Sequence, residues 1–457
     1  MCSFNGFIDK ADFLGGSYSY YFDGKNLHLN KINDGKKTIH YITSSQNVKF
    51  LNTRLSSGGS ASFYDCNYYY NNILSSREMT IAPASCLISR YANIPISEFS
   101  GLVFSGKVID KLFPPSQIVK YDSLNLSYIK NISKLKRDGS KTIVLKSFGE
   151  VDKSFKFKYN KEQYNILFNI SSPGTILKGD KNLGEIKSNF TLKFKEKQPI
   201  ENLEKIYIIV RKLFQFLSNI KDIAFDEIKV LLNSNDDNYE YIGDFYDLIH
   251  TKDENDYSII CPVELYFSHI DKVFLNISNE KINFNYIPKN KSQIYTINPE
   301  QYVSCCGAFE YNYKKVFKED LITYNKIIED FDNSFIKNKE YNRKERNFCK
   351  KIKDIMQNES QSLESKYQHA LVKYNEALSG YIHHLSGFYA IASNPQKLNI
   401  HFSSRRNIDA HGEMEPFSQE SICAYLVGNA IIDCLILDKC GFGTEEIKKI
   451  IDKRYMK

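Results

Sequence analysis

The period of the hydrophobic pattern changes once along this chain, near residue 290, and that change limits the fold to two unlike parts. Before it, apolar and polar residues alternate. Phe155, Phe157 and Tyr159 are separated by Lys156 and Lys158; Tyr164, Ile166, Phe168 and Ile170 keep period two; Phe190, Leu192 and Phe194 do so around Thr191 and Lys193. Successive side chains of a strand point to opposite faces, so this alternation predicts antiparallel strands buried on one face. Ser17-Tyr18-Ser19-Tyr20-Tyr21-Phe22, the turn pair Asp23-Gly24 and Leu27-His28-Leu29 predict a hairpin. Short strands are expected at Ile259-Ile260 and at Val273-Phe274-Leu275-Asn276-Ile277. One helix interrupts the pattern. Leu203, Ile206, Tyr207, Val210, Leu213, Phe214 and Leu217 fall at helical spacing behind Pro199.

Tyr286-Ile287-Pro288-Lys289-Asn290-Lys291-Ser292 reads as a boundary, and helical signals dominate after it. Helices are expected from Pro299 to Phe317, from Lys318 to Met356 with a break near Asn338, and from Ser360 to Ala392. Ser403-Ser404 is placed to cap a short helix ended by Gly412 and Pro416. A further helix runs from Ser418 to Lys439, with Gly441 beyond its C-terminus, and Thr444 is placed to cap the last one. The expected fold class is therefore α+β multidomain. A β-rich region, 1–290, with its helix near 200–218, precedes an all-α bundle at 295–457.

Composition narrows the setting. Hydrophobic residues are 42% and charged residues 25%, which suits globular packing and not global disorder. No apolar run approaches the roughly 18 residues of a membrane span. The start, Met1-Cys2-Ser3-Phe4-Asn5-Gly6, lacks a basic and then apolar signal segment. The expectation is a cytoplasmic protein without membrane contact. The ten cysteines are scattered, with no Cys-x-x-Cys pair, and are expected as buried reduced thiols. No metal site or cofactor is expected. The net charge of +7 is compatible with a polyanionic partner.

One short stretch combines residue types suited to phosphate chemistry: Arg406-Asn407-Ile408-Asp409-Ala410-His411. An arginine offers a permanent charge and a planar donor fork that fits phosphate. A histidine moves a proton near neutral pH. Together they meet the needs of RNA cleavage without metal, in which the ribose 2′-OH is activated and charge on phosphorus is stabilised. Asn407 is placed to orient the phosphate or hold the histidine. Positions five apart lie about 140° apart around an α-helix, so a cleft shared by two copies suits this pair better than one chain alone. Arg405 is a second arginine in the same register window.

Arg-polar-x-x-x-His in a late turn of a helical domain, just before the apolar helix Ile422-Cys423-Ala424-Tyr425-Leu426-Val427, resembles the HEPN superfamily, and more closely the Apea-like HEPN proteins of bacterial anti-phage defence. The segment Gln301–Tyr311, apolar with Glu310 near its end, is similar to their first helix. The β-rich region with the helix Ile206–Leu217 is more loosely similar to the domain that accompanies this HEPN type. The resemblance implies an all-α HEPN-like bundle acting as a metal-independent endoribonuclease, a homodimer with both motifs at its interface. It implies that His411 is the general acid/base, Arg406 the phosphate clamp and Asn407 the orienting residue, with Glu310 a secondary candidate for holding an Arg or His. The β-rich region would sense or restrain, and a gate is expected, with a phage-derived trigger as candidate opener.

Residues 337–353 carry eight basic side chains against Glu340 and Glu345. Lys344, Arg346 and Lys350, with Arg405, are the candidates for contacting the RNA backbone; a solvated helix face accounts for the same run. Lys134, Lys136 and Arg137 form a smaller basic loop, and Tyr68-Tyr69-Tyr70 offers rings for stacking or packing. A competing function is a non-catalytic HEPN-like module that binds RNA or nucleotide or only dimerises.

Overall fold

The computed structural model describes residues 3–11, 16–32, 47–69, 78–89, 96–115, 153–159, 162–171, 187–235, 238–250, 261–294, 296–337, 341–410, 412 and 415–456. Two compact units emerge. The first comprises Met1–Ile208 and Ile223–Glu254, the second Ile209–Asp222 and Asn255–Lys457. The architecture is α+β, with strands concentrated in the first unit and helices in the second.

The first unit contains β1 (Phe4–Ala11), β2 (Gly16–Phe22), β3 (Leu27–Lys31), β4 (Asn47–Leu55), β5 (Ser60–Tyr69), β6 (Glu78–Ala82), β7 (Ser85–Ser89), β8 (Glu98–Ser105), α1 (Lys107–Leu112), β9 (Lys153–Tyr159), β10 (Glu162–Ser171) and β11 (Lys187–Pro199). It also holds the start of α2 (Leu203–Ser218), then β12 (Glu227–Asn235) and β13 (Asn238–Asp247). The order β4-β1-β2-β3-β6-β5 closes on itself through β4–β5, making a six-stranded antiparallel barrel. Its interior is filled by Ile8, Tyr20, Phe22, Leu29, Leu51 and Phe63. A buried hydroxyl pair there, Tyr20 with Thr53, is bonded at 2.6 Å, as a phenol in an apolar core requires.

β5 is shared. Its Asn67–Tyr69 stretch pairs with β6 while Ser60–Tyr64 pairs with β7. From β7 the sheet continues, open, through β13, β12, β8, β11, β10 and β9. The expected hairpin is present, with Asp23 Oδ1 accepting from the amides of Lys25 and Asn26 at 2.8 and 2.6 Å. Gly24 takes φ 97°, where a side chain would be strained.

The second unit contains α3 (Ile270–Ser278), α4 (Pro299–Val316), α5 (Lys318–Phe331), a π turn at Asp332–Ile336, α6 (Arg343–Gln361), α7 (Leu363–Lys373), α8 (Asn375–Ser386), α9 (Leu398–Ala410), α10 (Gln419–Lys439) and α11 (Thr444–Tyr455). Several expectations are corrected. Val273–Ile277 is helical, not extended, because Ile270, Val273, Phe274 and Ile277 form one buried helix face. These residues pack in the second unit, which takes in Ile209–Asp222 and Asn255–Lys457. Ile259-Ile260, Tyr70 and the basic loop at 134–139 lie outside the described residues.

The helix expected from Ser360 to Ala392 is broken at Tyr374, whose hydroxyl donates to Asp438 at 2.6 Å. α9 begins at Leu398, so Ser403 and Ser404 are internal to it and cap nothing. Gly443, not Thr444, occupies the N-cap of α11, its amide donating to Glu446 at 2.8 Å.

α10 organises this unit. Capped by Ser418, whose Oγ accepts from the Ser421 amide at 3.1 Å, it is buried around nearly its whole circumference. Contrary to the composition-based expectation, it is long and apolar enough to cross a membrane, yet most of it is buried as the core helix of this unit. A buried carboxylate lies within it. Asp433 accepts from Arg454 Nη1 at 2.7 Å, from Tyr455 at 2.7 Å and from Tyr286. Arg454 also donates to the Phe216 carbonyl at 2.7 Å and to Tyr266 at 2.8 Å. Burial, reinforced by the Asp433 charge, pushes the Tyr286 and Tyr455 hydroxyls far above their ordinary pKa, keeping them neutral donors.

Candidate functional site

The described part of the motif, Arg406 to Ala410, lies on the last turn of α9, and three helices set its position. Phe402 of α9 packs against Tyr302 and Phe309 of α4 and Tyr367 of α7, with ring centroids 5.6, 5.9 and 4.7 Å apart. The Tyr302 hydroxyl reaches the carbonyls of His401 and Phe402 at 3.4 and 3.5 Å. On α10, Gly428 lets α9 come close: a Cβ there would stand 2.7 Å from the Phe402 ring. Close-packed aromatic neighbours leave α9 little freedom to roll or slide.

The two adjacent arginines have opposite fates. Arg405 is buried, 3% exposed. Its Nε and Nη2 donate to Asp409 at 3.1 and 2.6 Å, its Nη1 to the carbonyls of Glu415 and Pro416 at 2.9 and 3.1 Å, and its guanidinium stacks 3.7 Å over the Phe417 ring. It ties the end of α9 to the segment that leads into α10. Buried and bonded within the chain, the guanidinium is not exposed to meet an RNA backbone, contrary to the expectation for Arg405.

Arg406 is exposed, with Nη1 3.3 Å from Asn407 Oδ1, and Asn407 is exposed beside it. Arg406 also lies near α4. Burial pushes the Cys306 thiol well up, and the Arg406 charge is the main influence in the other direction. That thiol is neutral and buried, hence inert.

His411 lies outside the described residues. On either side of it, α9 ends at Ala410, the Gly412 amide bonds to the Asp409 carbonyl at 3.2 Å with φ 74° at Gly412, and Glu415 is held by Arg405. Among the described residues, Glu310 is partnered outside the motif. Its Oε1 accepts from the buried Lys366 of α7 at 3.3 Å. Lys344, Arg346 and Lys350 are each exposed on α6, but Lys344 and Arg346, two residues apart, do not share a face.

A second polar cluster, in the first unit, escaped the sequence reading. Asp247 accepts from Tyr207, lies 2.9 Å from His250 Nδ1 and receives the amides of Ile249 and His250, each at 2.9 Å. Burial raises the pKa of this carboxyl, but the bonds from His250 and Tyr207 outweigh it and hold it low. Nearby Glu204 accepts from Ser85 Oγ at 2.9 Å. Burial pushes Glu204 up to about 7, with the Asp65 and Asp247 charges adding to the effect against the Ser85 bond. Glu204 and Tyr207 sit one helical turn apart on α2, a spacing already present in the sequence. Among the described residues, no group of three or more His, Cys, Asp or Glu is arranged to hold a metal ion.

No protein-family model matches this chain, and neither a curated protein nor a solved structure shows detectable similarity to it.

Proposed function

We propose that the helical unit is a metal-independent endoribonuclease of the HEPN type, acting in the cytoplasm in anti-phage defence as a homodimer whose two motifs form one cleft. The observation that best supports this reading is the split between the two arginines. Arg405 is consumed in fixing the turn, which leaves Arg406 and Asn407 exposed side by side at the end of α9, a few residues before His411. A clamp for phosphate needs both a rigid base and a free guanidinium.

In this reading the ribose 2′-OH attacks the adjacent phosphorus and the bond to the 5′-oxygen breaks. A 2′,3′-cyclic phosphate and a free 5′-OH result. His411 moves the proton, Arg406 stabilises the charge gathering on the phosphoryl oxygens, and Asn407 orients them. The β-rich unit restrains the nuclease until a phage-derived trigger acts.

The test is cleavage of RNA in EDTA by the wild-type chain beside Arg406→Ala and His411→Ala. Loss of at least about a hundredfold in each variant is expected, with cyclic phosphate ends on the wild-type products. Equal cleavage by all three, or wild-type activity abolished by EDTA, would overturn the assignment. Binding of RNA with no cleavage by any of them would favour a non-catalytic module.

A further inference from the structure

Two helices in contact bury one face of each against the other. In the hairpin of α5, the π turn and α6, that contact takes in Ile328, 5% exposed. It is fastened by the Tyr324 hydroxyl, which donates to the Met356 carbonyl at 3.3 Å, and by Asp332, paired with Lys353 at 2.9 Å. Each helix keeps a second apolar row. Ile327, Phe331 and Phe335 follow one another at four-residue spacing, and Phe348, Ile352 and Ile355 at four and three, the spacings of a helix-packing seam. Ile327 is 50% exposed, Phe335 40%, Phe348 64% and Ile355 56%. Phe331 and Phe335 share one open groove of about 560 Å³ with Phe348 and Ile352, so both rows lie on the same side of the hairpin.

The charges beside these rows specify what covers them. The helices run antiparallel, with Tyr324 opposite Met356 and Phe331 opposite Cys349. Lys326 is therefore level with Asp354, and Asp330 with Lys351. At about 100° per residue, Asp330 and Lys326 lie about 60° and 100° to one side of Ile327, on the flank turned away from α6. Lys351 and Asp354 lie about 50° and 110° to one side of the Phe348–Ile355 row, on the flank turned away from α5. All four are exposed, and none of them is in an ion pair among the described residues. At each level the two helices thus carry opposite signs on their outer flanks.

A face of this kind is complementary to itself. A two-fold axis parallel to the helices sets α5 of one copy on α6 of the other, with apolar row on apolar row. Asp330 then lies beside the partner's Lys351 and Lys326 beside the partner's Asp354, and the two-fold repeats both pairs. We infer that the α5–α6 hairpin is a self-association surface on which two copies of this chain form an antiparallel four-helix bundle, each α5 against the partner's α6. Every helix in that bundle has antiparallel neighbours. The inference goes beyond the ribonuclease reading and uses no residue of the motif, so association and cleavage are read separately.

The experiment is sedimentation equilibrium of the full chain across a concentration series. The wild type is expected to be a dimer. Phe348→Ala removes two rings per dimer and should weaken association about thirtyfold or more, with an unchanged circular-dichroism spectrum because the ring is exposed. Asp330→Lys sets like charges face to face twice and should weaken it about fivefold or more. Adding Lys351→Glu to Asp330→Lys should restore association to within about twofold of wild type, because the two positions meet only across the interface. A monomeric wild type, a dimer indifferent to Phe348→Ala, or an Asp330→Lys defect that Lys351→Glu fails to restore would overturn the inference. RNA cleavage by a monomeric Phe348→Ala chain would leave the hairpin interface standing and remove the composite cleft. Cleavage by a chain whose dimer ignores both substitutions would do the reverse.

Discussion

Arg405 and Arg406 are neighbours in sequence, and the structure predicts that replacing them by alanine separates stability from activity. Arg405 makes four hydrogen bonds and a ring stack at 3% exposure, and the Asp409 side chain it neutralises is fully buried. Arg405→Ala leaves that carboxylate without its countercharge. Removing one partner of a buried ion pair costs about 3–5 kcal/mol. At about 2–4 °C per kcal/mol for a unit of this size, the helical unit should melt roughly 6–20 °C lower. Arg406 has an exposed side chain with Asn407 at 3.3 Å as its hydrogen-bond partner, so Arg406→Ala should stay within about 0.5 kcal/mol of wild type.

Calorimetric or circular-dichroism melts of both variants decide the matter. Arg405→Ala combined with Asp409→Ala provides the cycle: the double variant should lose less than the sum of the singles, since each single leaves the other charge stranded. An Arg405→Ala melt within a degree of wild type, or an Arg406→Ala melt lowered as far as that of Arg405→Ala, would refute the placement of these arginines and with it the structural basis for choosing Arg406 as the clamp.

Two other measurements probe the scaffold. Asp433→Ala strands Arg454, which is buried and donates to it at 2.7 Å, and should cost about 3–5 kcal/mol in denaturant melts; pairing it with Arg454→Met should recover part of the loss, and strictly additive losses would contradict the coupling. Glu204, with its carboxyl raised from 4.5 to about 7, holds a proton in the folded state that the unfolded chain releases, so its contribution to stability falls as pH rises from 4.5 through 7. Glu204→Gln should therefore leave stability unchanged near pH 4.5 and raise it by about 1–2 kcal/mol at pH 8, allowing for solvent screening of a half-buried group; an equal effect at both pH values would contradict the shift.

The local elements were largely legible. Alternation at 155–159, 164–170 and 190–194 marked β9, β10 and β11, and the spacing of Leu203 to Leu217 marked α2, because both periods follow from backbone geometry within a few residues. Val273–Ile277 was not legible in isolation. A short apolar run satisfies either period, and only the burial of Ile270 on the same face makes it helical. The partner of Glu310, Lys366, lies 56 residues away, a distance that no local pattern encodes.

The sequence by itself determined that strands precede helices and that an arginine, an asparagine and a histidine come together near the C-terminus. Tertiary structure decided the closure of the barrel through β4 with β1 and β5, and which of two adjacent arginines is available. Leu398, Phe402, Arg405 and Asp409 share a helix face, a periodicity present in the sequence, but only packing against α4 and α10 makes that face the inner one. Periodicity fixes which residues point together. Which way they point depends on long-range contacts, and for Arg405 and Arg406 that phase separates a buried structural brace from an exposed side chain.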